Sequence, residues 1–125
     1  AIFMENGKFG FGGPKDNTTM RSLHMATWQD GKQEEEVETT TLEKLFKEFN
    51  ISHVNLLKLD VEGSEHEILS HPSFKNVADR IDTIIVERHV WSGRHPNQLN
   101  EALKNAGFTI EQIPSSADLL VAKRK

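Results

Sequence analysis

Two short apolar runs separated by a capped helix constrain the fold of this chain more than any other feature. Residues 54–59 (VNLLKL) and 81–86 (IDTIIV) are predicted strands, because both runs are short, largely apolar and rich in branched side chains. Between them Ser64 begins a capping-box pattern with Glu67, and Pro72 limits the helix that follows. A strand, a helix and a second strand in this order form a right-handed crossover. The two strands are therefore predicted to be parallel and adjacent.

An amphipathic helix is predicted before the first of these strands. Thr40 and Glu43 match a capping box, in which Thr40 accepts a hydrogen bond from the amide of Glu43. Asn50 suits the left-handed residue that ends a helix. The apolar side chains between these two ends recur at helical spacing and form one face: Leu42, Leu45, Phe46 and Phe49.

After the second strand the alternation of helix and strand continues. Pro96 suits the first turn of a helix, and Gly107 suits its end. Residues 108–113 and 119–122 are predicted to be a closing pair of antiparallel strands, because the turn between them is short. Residues 39–125 therefore indicate an α/β fold, with helices on both faces of a sheet.

The pattern over residues 1–38 differs and predicts β-hairpins. An Asn-Gly pair at residues 6–7 suits a type I′ turn at the centre of a hairpin over residues 2–11. A second apolar run, at residues 23–28, is expected to fold back through residues 32–37 as another hairpin.

Length and composition exclude several classes of protein. The 125 residues suit a single domain, made of the hairpin region 1–38 and the α/β region 39–125. A formal charge of −4 provides no basic surface for nucleic acid. No run approaches the roughly 18 apolar residues needed to span a bilayer, so no membrane partner is expected. The absence of cysteine excludes disulfides, thiolate nucleophiles and cysteine-based zinc sites.

Polar residues with catalytic potential follow both predicted parallel strands. Asp60 and Glu62 follow the first strand, while Glu87 closes the second and His89 comes two residues later. Because open α/β sheets bind ligands at the carboxyl ends of their strands, these four are candidate catalytic residues. Asp60 can hold a cationic or hydroxyl group, Glu62 can act as a base or orient one, and His89 can act as a general base. In the structural alternative, Asp60 and Glu62 serve the turn and the helix dipole, and Arg88 neutralises Glu87.

Two longer motifs extend this pattern. Residues 37–45 read VETTTLEKL, and residues 56–69 read LLKLDVEGSEHEIL. The next strand ends in Glu87, and Ala106-Gly107-Phe108 leads into the closing strands. Together, over residues 37–122, these features resemble the later motifs of the FkbM family of S-adenosylmethionine-dependent methyltransferases.

The resemblance implies a Rossmann-like class I methyltransferase sheet, present here in its later strands only. It implies S-adenosylmethionine as cofactor and, usually, a hydroxyl oxygen as methyl acceptor. Asp60 matches the family's fourth-strand acidic residue, which faces both the cofactor and the substrate. Glu62 belongs to the same motif and Glu87 closes the fifth strand, whereas His89 is a candidate from its position alone.

The family's first three strands, with the glycine-rich loop and the ribose-binding acidic residue, have no counterpart in this sequence. We therefore expect residues 1–125 to be the C-terminal portion of a methyltransferase domain, inactive by itself. The strand at 54–59 would then have an open edge, so we expect either self-association through this strand or that the hairpin over residues 2–11 folds over to cover it. The expected substrate is a hydroxyl group of a small molecule or a glycan.

Two other functions remain open at this point. Asp60, Glu62 and Glu87 can converge on Mg²⁺, which prefers oxygen ligands, in a hydrolase or phosphotransferase. The chain can also be a non-catalytic interaction module that binds no cofactor. A stabilising response to Mg²⁺, to the methyl donor, or to neither distinguishes the three functions.

Overall fold

The two predicted parallel strands lie side by side in the computed structural model, which describes residues 1–14, 31–89, 95–113, 116 and 118–125. In register, Leu56 lies opposite Thr83 and Leu59 opposite Val86, so the prediction of adjacent parallel strands is confirmed. The strands and helices in chain order are β1 Gly7–Pro14, β2 Gly31–Thr39, α1 Leu42–Glu48, β3 Val54–Leu59, α2 Glu65–Ser70, α3 Pro72–Ala78, β4 Ile81–Glu87, α4 Pro96–Asn105, β5 Phe108–Gln112 and β6 Leu119–Arg124.

The strands form a mixed four-stranded sheet and a separate two-stranded ribbon. The order in the sheet is β3-β4-β6-β5, and the ribbon consists of β1 and β2. β5 and β6 are antiparallel, so the predicted closing pair is confirmed, and β6 also pairs antiparallel with β4. In the described part of the chain, β3 is therefore an edge strand, and its only sheet neighbour is β4.

The helices pack against one face of the four-stranded sheet. Val86 is buried on this face together with its neighbours across the sheet, Leu59 and Leu120. The helices contribute to the same core cluster the side chains of Leu42, Phe46, Ile68, Leu69, Phe74, Val77, Ala78, Leu99 and Leu103. On the opposite face Leu56 is 55% exposed. The prediction of helices on both faces of the sheet is thus not met by the described residues.

Among the helices of the described residues, none is long and apolar enough to cross a membrane.

The hairpin predicted over residues 2–11 is wrong. β1 begins at Gly7 and pairs antiparallel with β2 instead. A type I′ turn needs positive φ at both central residues, and Asn6 is not among the described residues with positive φ. The Asn6 side chain accepts a hydrogen bond from the amide of Thr41, 3.2 Å away, which ties this segment to the start of α1.

Of the second predicted hairpin, residues 23–28 lie outside the described residues. Residues 32–37 belong to β2, whose partner is β1. The N-terminal segment packs on this ribbon through the rings of Phe3 and Phe9, whose centroids are 5.0 Å apart.

The N-terminal residues also change how α1 begins. Ile2 forms a parallel bridge with Thr40, and the Phe3 amide donates to the Thr40 carbonyl at 2.9 Å. Helix α1 is capped by the next residue, Thr41, whose hydroxyl accepts from the amide of Lys44 at 3.1 Å. The capping box predicted at Thr40 is therefore wrong by one residue, because Thr40 takes part in strand pairing.

The remaining helix ends follow the sequence in position, but not in every bond. Asn50 and Gly107 have φ values of 52° and 92°, so the predicted left-handed ends are confirmed. Helix α2 begins after Ser64 as predicted. The Ser64 hydroxyl is buried and has no hydrogen-bond partner among the described residues, so the predicted capping box does not form. The carboxylate of Glu65 accepts from the amides of this turn instead.

Candidate functional site

The C-terminal ends of the parallel strands β3 and β4 bring four sequence-predicted residues to one edge of the sheet. Asp60 directly follows β3, and Glu62 lies in the turn between β3 and α2. Glu87 is the last residue of β4, and His89 follows two residues later. Strand ends at this edge form the usual ligand-binding position of an open α/β sheet.

The turn that carries Glu62 has an unusual backbone. Glu62 has φ of 51°, in the left-handed region that a non-glycine residue seldom adopts, and Gly63 follows with φ of 100°. The Oε1 atom of Glu65 accepts hydrogen bonds from the amides of Val61 and Gly63, each at 3.2 Å. These two bonds hold the turn from the first residue of α2, so the position of Glu62 is fixed by the carboxylate that follows it.

His89 lies between two carboxylates. Its Nδ1 is 2.7 Å from Glu65 Oε1, and its Nε2 is 3.3 Å from Glu62 Oε2. The imidazole is 10% exposed and the Glu65 side chain 0% exposed, whereas Glu62 is 37% exposed. The ring therefore has a buried carboxylate, that of Glu65, at Nδ1 and a more accessible carboxylate, that of Glu62, at Nε2.

Asp60 lies on the open side of the cluster, where Lys58 pairs with it. The Lys58 ammonium donates to Asp60 Oδ2 at 3.0 Å. The hydrogen bond from Lys58 and the negative charge of Asp60 raise the pKa of Lys58 above its ordinary value of 10.5. The charge of Glu87 adds a smaller contribution in the same direction, so Glu87 is electrostatically close to this pair.

Three of the four predicted residues converge. One carboxylate oxygen from each of Asp60 and Glu62 and one ring nitrogen of His89 all lie within 4.8 Å of one another. Glu87 is not part of this cluster, in which an imidazole stands where a third carboxylate was expected. Such a cluster can bind a hydroxyl group, accept a proton from it, or hold a cation.

Glu65 is the residue that sequence reasoning missed. Its available signal was a carboxylate at the first position of a helix, directly after a turn with glycine. That signal alone suggests compensation of the helix dipole, whereas the structure buries this carboxylate against His89.

One groove of the described structure does not coincide with the cluster. It has a volume of about 390 Å³ and is lined by residues of α2, α4 and the N-terminal segment, including His66, Gln98 and Met4. None of Asp60, Glu62 and His89 lines it. Because chemistry needs reactive side chains rather than volume alone, the strand-end cluster is the better candidate site.

A comparison with family models gives a match over most of the chain. The model described as Methyltransferase FkbM domain matches residues 4–110. The match thus includes the β1–β2 ribbon as well as the sheet from β3 into β5, and it begins upstream of the motifs at 37–45. No curated protein and no solved structure matches the chain.

Proposed function

Because the chain belongs to the FkbM methyltransferase family, we propose that it transfers methyl groups from S-adenosylmethionine to a hydroxyl oxygen. Methyl transfer is the activity that this family implies. The acceptor class we propose is a hydroxyl group on a small molecule or a glycan. The formal charge of −4 supports such an acceptor over nucleic acid.

The observation that carries the proposal is the convergence of Asp60, Glu62 and His89 within 4.8 Å at the strand ends. A hydroxyl oxygen becomes a good nucleophile when a positioned base removes its proton. His89 Nε2 is the base in our proposal, because the buried Glu65 carboxylate supports the ring from behind. Once Nε2 has taken the proton, Glu62 Oε2 lies 3.3 Å away to accept a hydrogen bond from it.

The residues of this chain fit one part of the proposed donor. S-adenosylmethionine supplies an electrophilic methyl group on a positively charged sulfur and also carries an ammonium group. The Asp60 carboxylate is accessible, already pairs with one ammonium group, that of Lys58, and suits such a cationic ligand. The glycine-rich segment 10–13 lies within β1 rather than at a strand-to-helix turn, so it does not suit a nucleotide.

The cluster supports proton transfer better than Mg²⁺ chemistry. A hydrolase or phosphotransferase would use Asp60, Glu62 and Glu87 as oxygen ligands, but the third member of the cluster is His89. Mg²⁺ prefers oxygen over imidazole nitrogen. The ammonium of Lys58 also supplies positive charge beside Asp60.

Methyl transfer from radiolabelled S-adenosylmethionine to a panel of polyols and glycans tests the proposal. Asp60 is the one residue that we assign to the donor, so we expect the Kd for S-adenosylmethionine to lie above about 1 mM. The assay therefore uses millimolar concentrations of the donor. His89→Asn and Asp60→Asn should each lower turnover by about 10²-fold or more, because they remove the base and a charged ligand.

His53→Asn and Asp82→Asn are matched controls, because they alter a histidine and a carboxylate that form a pair 3.0 Å apart at the opposite ends of β3 and β4. These controls should leave turnover unchanged. Equal turnover in all four variants would contradict the assigned site. No binding of the donor at millimolar concentration would instead support a non-catalytic interaction module, whereas binding of the donor without transfer would mean that the chain is inactive by itself.

A further inference from the structure

We propose that Glu65 is the positioning residue of this site, which fixes the proton of His89 on Nδ1 and sets the distance between His89 and Glu62. The proposal deepens the methyl-transfer function and rests on it for the role of His89. The contacts of Glu65 themselves do not depend on the identity of the methyl acceptor.

The burial of Glu65 is the first observation. Its side chain is fully buried, and its Oε2 atom has no hydrogen-bond partner among the described residues. Burying a carboxylate is costly unless it is paired, so a residue that serves only to begin a helix does not need this position. Among the described residues, the hydrogen bonds of Glu65 all go to its other oxygen, Oε1.

The second observation is which groups Oε1 joins. It accepts from the amides of Val61 and Gly63, which flank Glu62 in the turn after β3. The same atom contacts Nδ1 of His89, 24 residues along the chain and just beyond β4. One oxygen therefore sets the position of the Glu62 backbone and of the His89 ring, and with them the 3.3 Å between Glu62 Oε2 and His89 Nε2.

The third step concerns the tautomer of His89. An ionised carboxylate only accepts hydrogen bonds, so the 2.7 Å contact requires that Nδ1 carry a proton. In the neutral ring Nε2 is then the nitrogen that accepts. A charge-assisted bond is roughly twice as strong as a neutral one, so the carboxylate favours this tautomer more than an amide would. Glu65 thus directs the basic nitrogen towards Glu62 and Asp60.

Nitrogen-15 NMR of the histidine rings tests this assignment without donor or acceptor. In the wild-type chain, at a pH where the ring is neutral, His89 should show the Nδ1–H tautomer and a slowly exchanging ring proton. Glu65→Gln should raise the Nε2–H to Nδ1–H ratio of His89 about tenfold, because a neutral amide replaces the charged acceptor. Asp82→Asn, which alters the exposed partner of His53, should leave the His89 signals unchanged.

A wild-type His89 with its proton on Nε2 would overturn the proposal, whatever the variants do. A lower melting temperature in Glu65→Gln with an unchanged tautomer would also overturn it, since Glu65 would then only stabilise the turn. If Glu65→Gln does not fold, the wild-type spectrum decides alone.

Measurements of methyl-transfer turnover distinguish a failure of the positioning role of Glu65 from a failure of the proposed function. Glu65→Gln should lower kcat about tenfold and leave the KM for the donor unchanged, and Glu65→Asp should restore little, because its shorter side chain does not span from the turn to the ring. The expected tautomer without methyl transfer by the wild-type chain would refute the function and leave the positioning of His89 intact.

Discussion

The parallel strands β3 and β4 carry a histidine–carboxylate pair at each end. At the N-terminal ends, His53 Nε2 and Asp82 Oδ2 are 3.0 Å apart, with both side chains about half exposed. At the C-terminal ends, His89 Nδ1 and Glu65 Oε1 are 2.7 Å apart, and both side chains are largely or fully buried. Water screens the first pair and is excluded from most of the second. Similar chemistry at the two ends thus differs in strength because of burial.

A structural reason accounts for this difference. Helix α2 begins directly after the turn at the C-terminal end of β3 and buries Glu65 there. The N-terminal pair has no such cover, since His53 and Asp82 are both exposed at the starts of their strands. We therefore expect substitutions of similar chemistry at the two ends of the strands to have unequal effects on the stability of the fold.

Removal of the carboxylate at each end should give the largest effect. Glu65→Ala deprives the half-buried amide of Val61, the buried amide of Gly63 and the ring of His89 of their acceptor. The free energy of unfolding should fall by about 3 kcal/mol or more. Asp82→Ala removes an exposed pair and should cost about 0–1 kcal/mol. Urea denaturation followed by circular dichroism measures both, and equal losses would break the comparison.

Amide hydrogen exchange compares the two ends of the strands at single residues. Glu65→Gln weakens the acceptor for the amides of Val61 and Gly63, so their exchange should accelerate about tenfold. The Val54 amide, which donates to the Arg80 carbonyl at 2.8 Å near the other end, is the internal control. Unchanged exchange at Gly63 would mean that the carboxylate charge does not stabilise the turn.

Between the two ends, β3 has an open edge in the described sheet, and we propose that a second copy of the chain pairs with it. Leu56 is 55% exposed beside this edge, and Lys58 is the only charged residue of the strand. Leu56→Lys should weaken self-association about tenfold, because it places a charge at the contact. Phe49→Lys, at another exposed apolar residue, is the matched control.

Light scattering over a concentration series measures this self-association. A chain that stays monomeric at every concentration, with fast amide exchange along β3, would refute a paired edge. In that case a second copy would cover neither end of β3. The difference in burial between the His53–Asp82 pair and the His89–Glu65 pair would then be a property of the single chain.

The smallest expected effect is a shift in the pKa of Lys58. Asp60 raises this pKa above 10.5, so Asp60→Asn should bring it back towards 10.5, as followed by NMR of the lysine side chain. Because the folded-state pKa is raised, the Lys58–Asp60 interaction contributes fully below pH 10.5 and is lost as pH rises through the folded value. Asp82→Asn, at the other end of the strands, should leave this pKa unchanged.

The two regions of the sequence differ in how well local signals predicted the fold. In residues 39–125, the strands β3 and β4, the closing pair and the left-handed ends at Asn50 and Gly107 all followed from neighbouring residues. In residues 1–38, the Asn-Gly signal at 6–7 predicted a local turn, but β1 pairs with the distant β2. The choice of a strand partner depends on long-range packing, which a turn signal does not contain.

For the site, the sequence by itself determined that Asp60, Glu62, Glu87 and His89 follow adjacent parallel strands, because chain order and crossover handedness fix which strand ends share an edge. Only the tertiary structure decided which of them meet. It brought Asp60, Glu62 and His89 within 4.8 Å of one another and left Glu87 outside. It also gave Glu65 its place behind His89, since the contact joins residues 24 positions apart and depends on burial that no local pattern specifies.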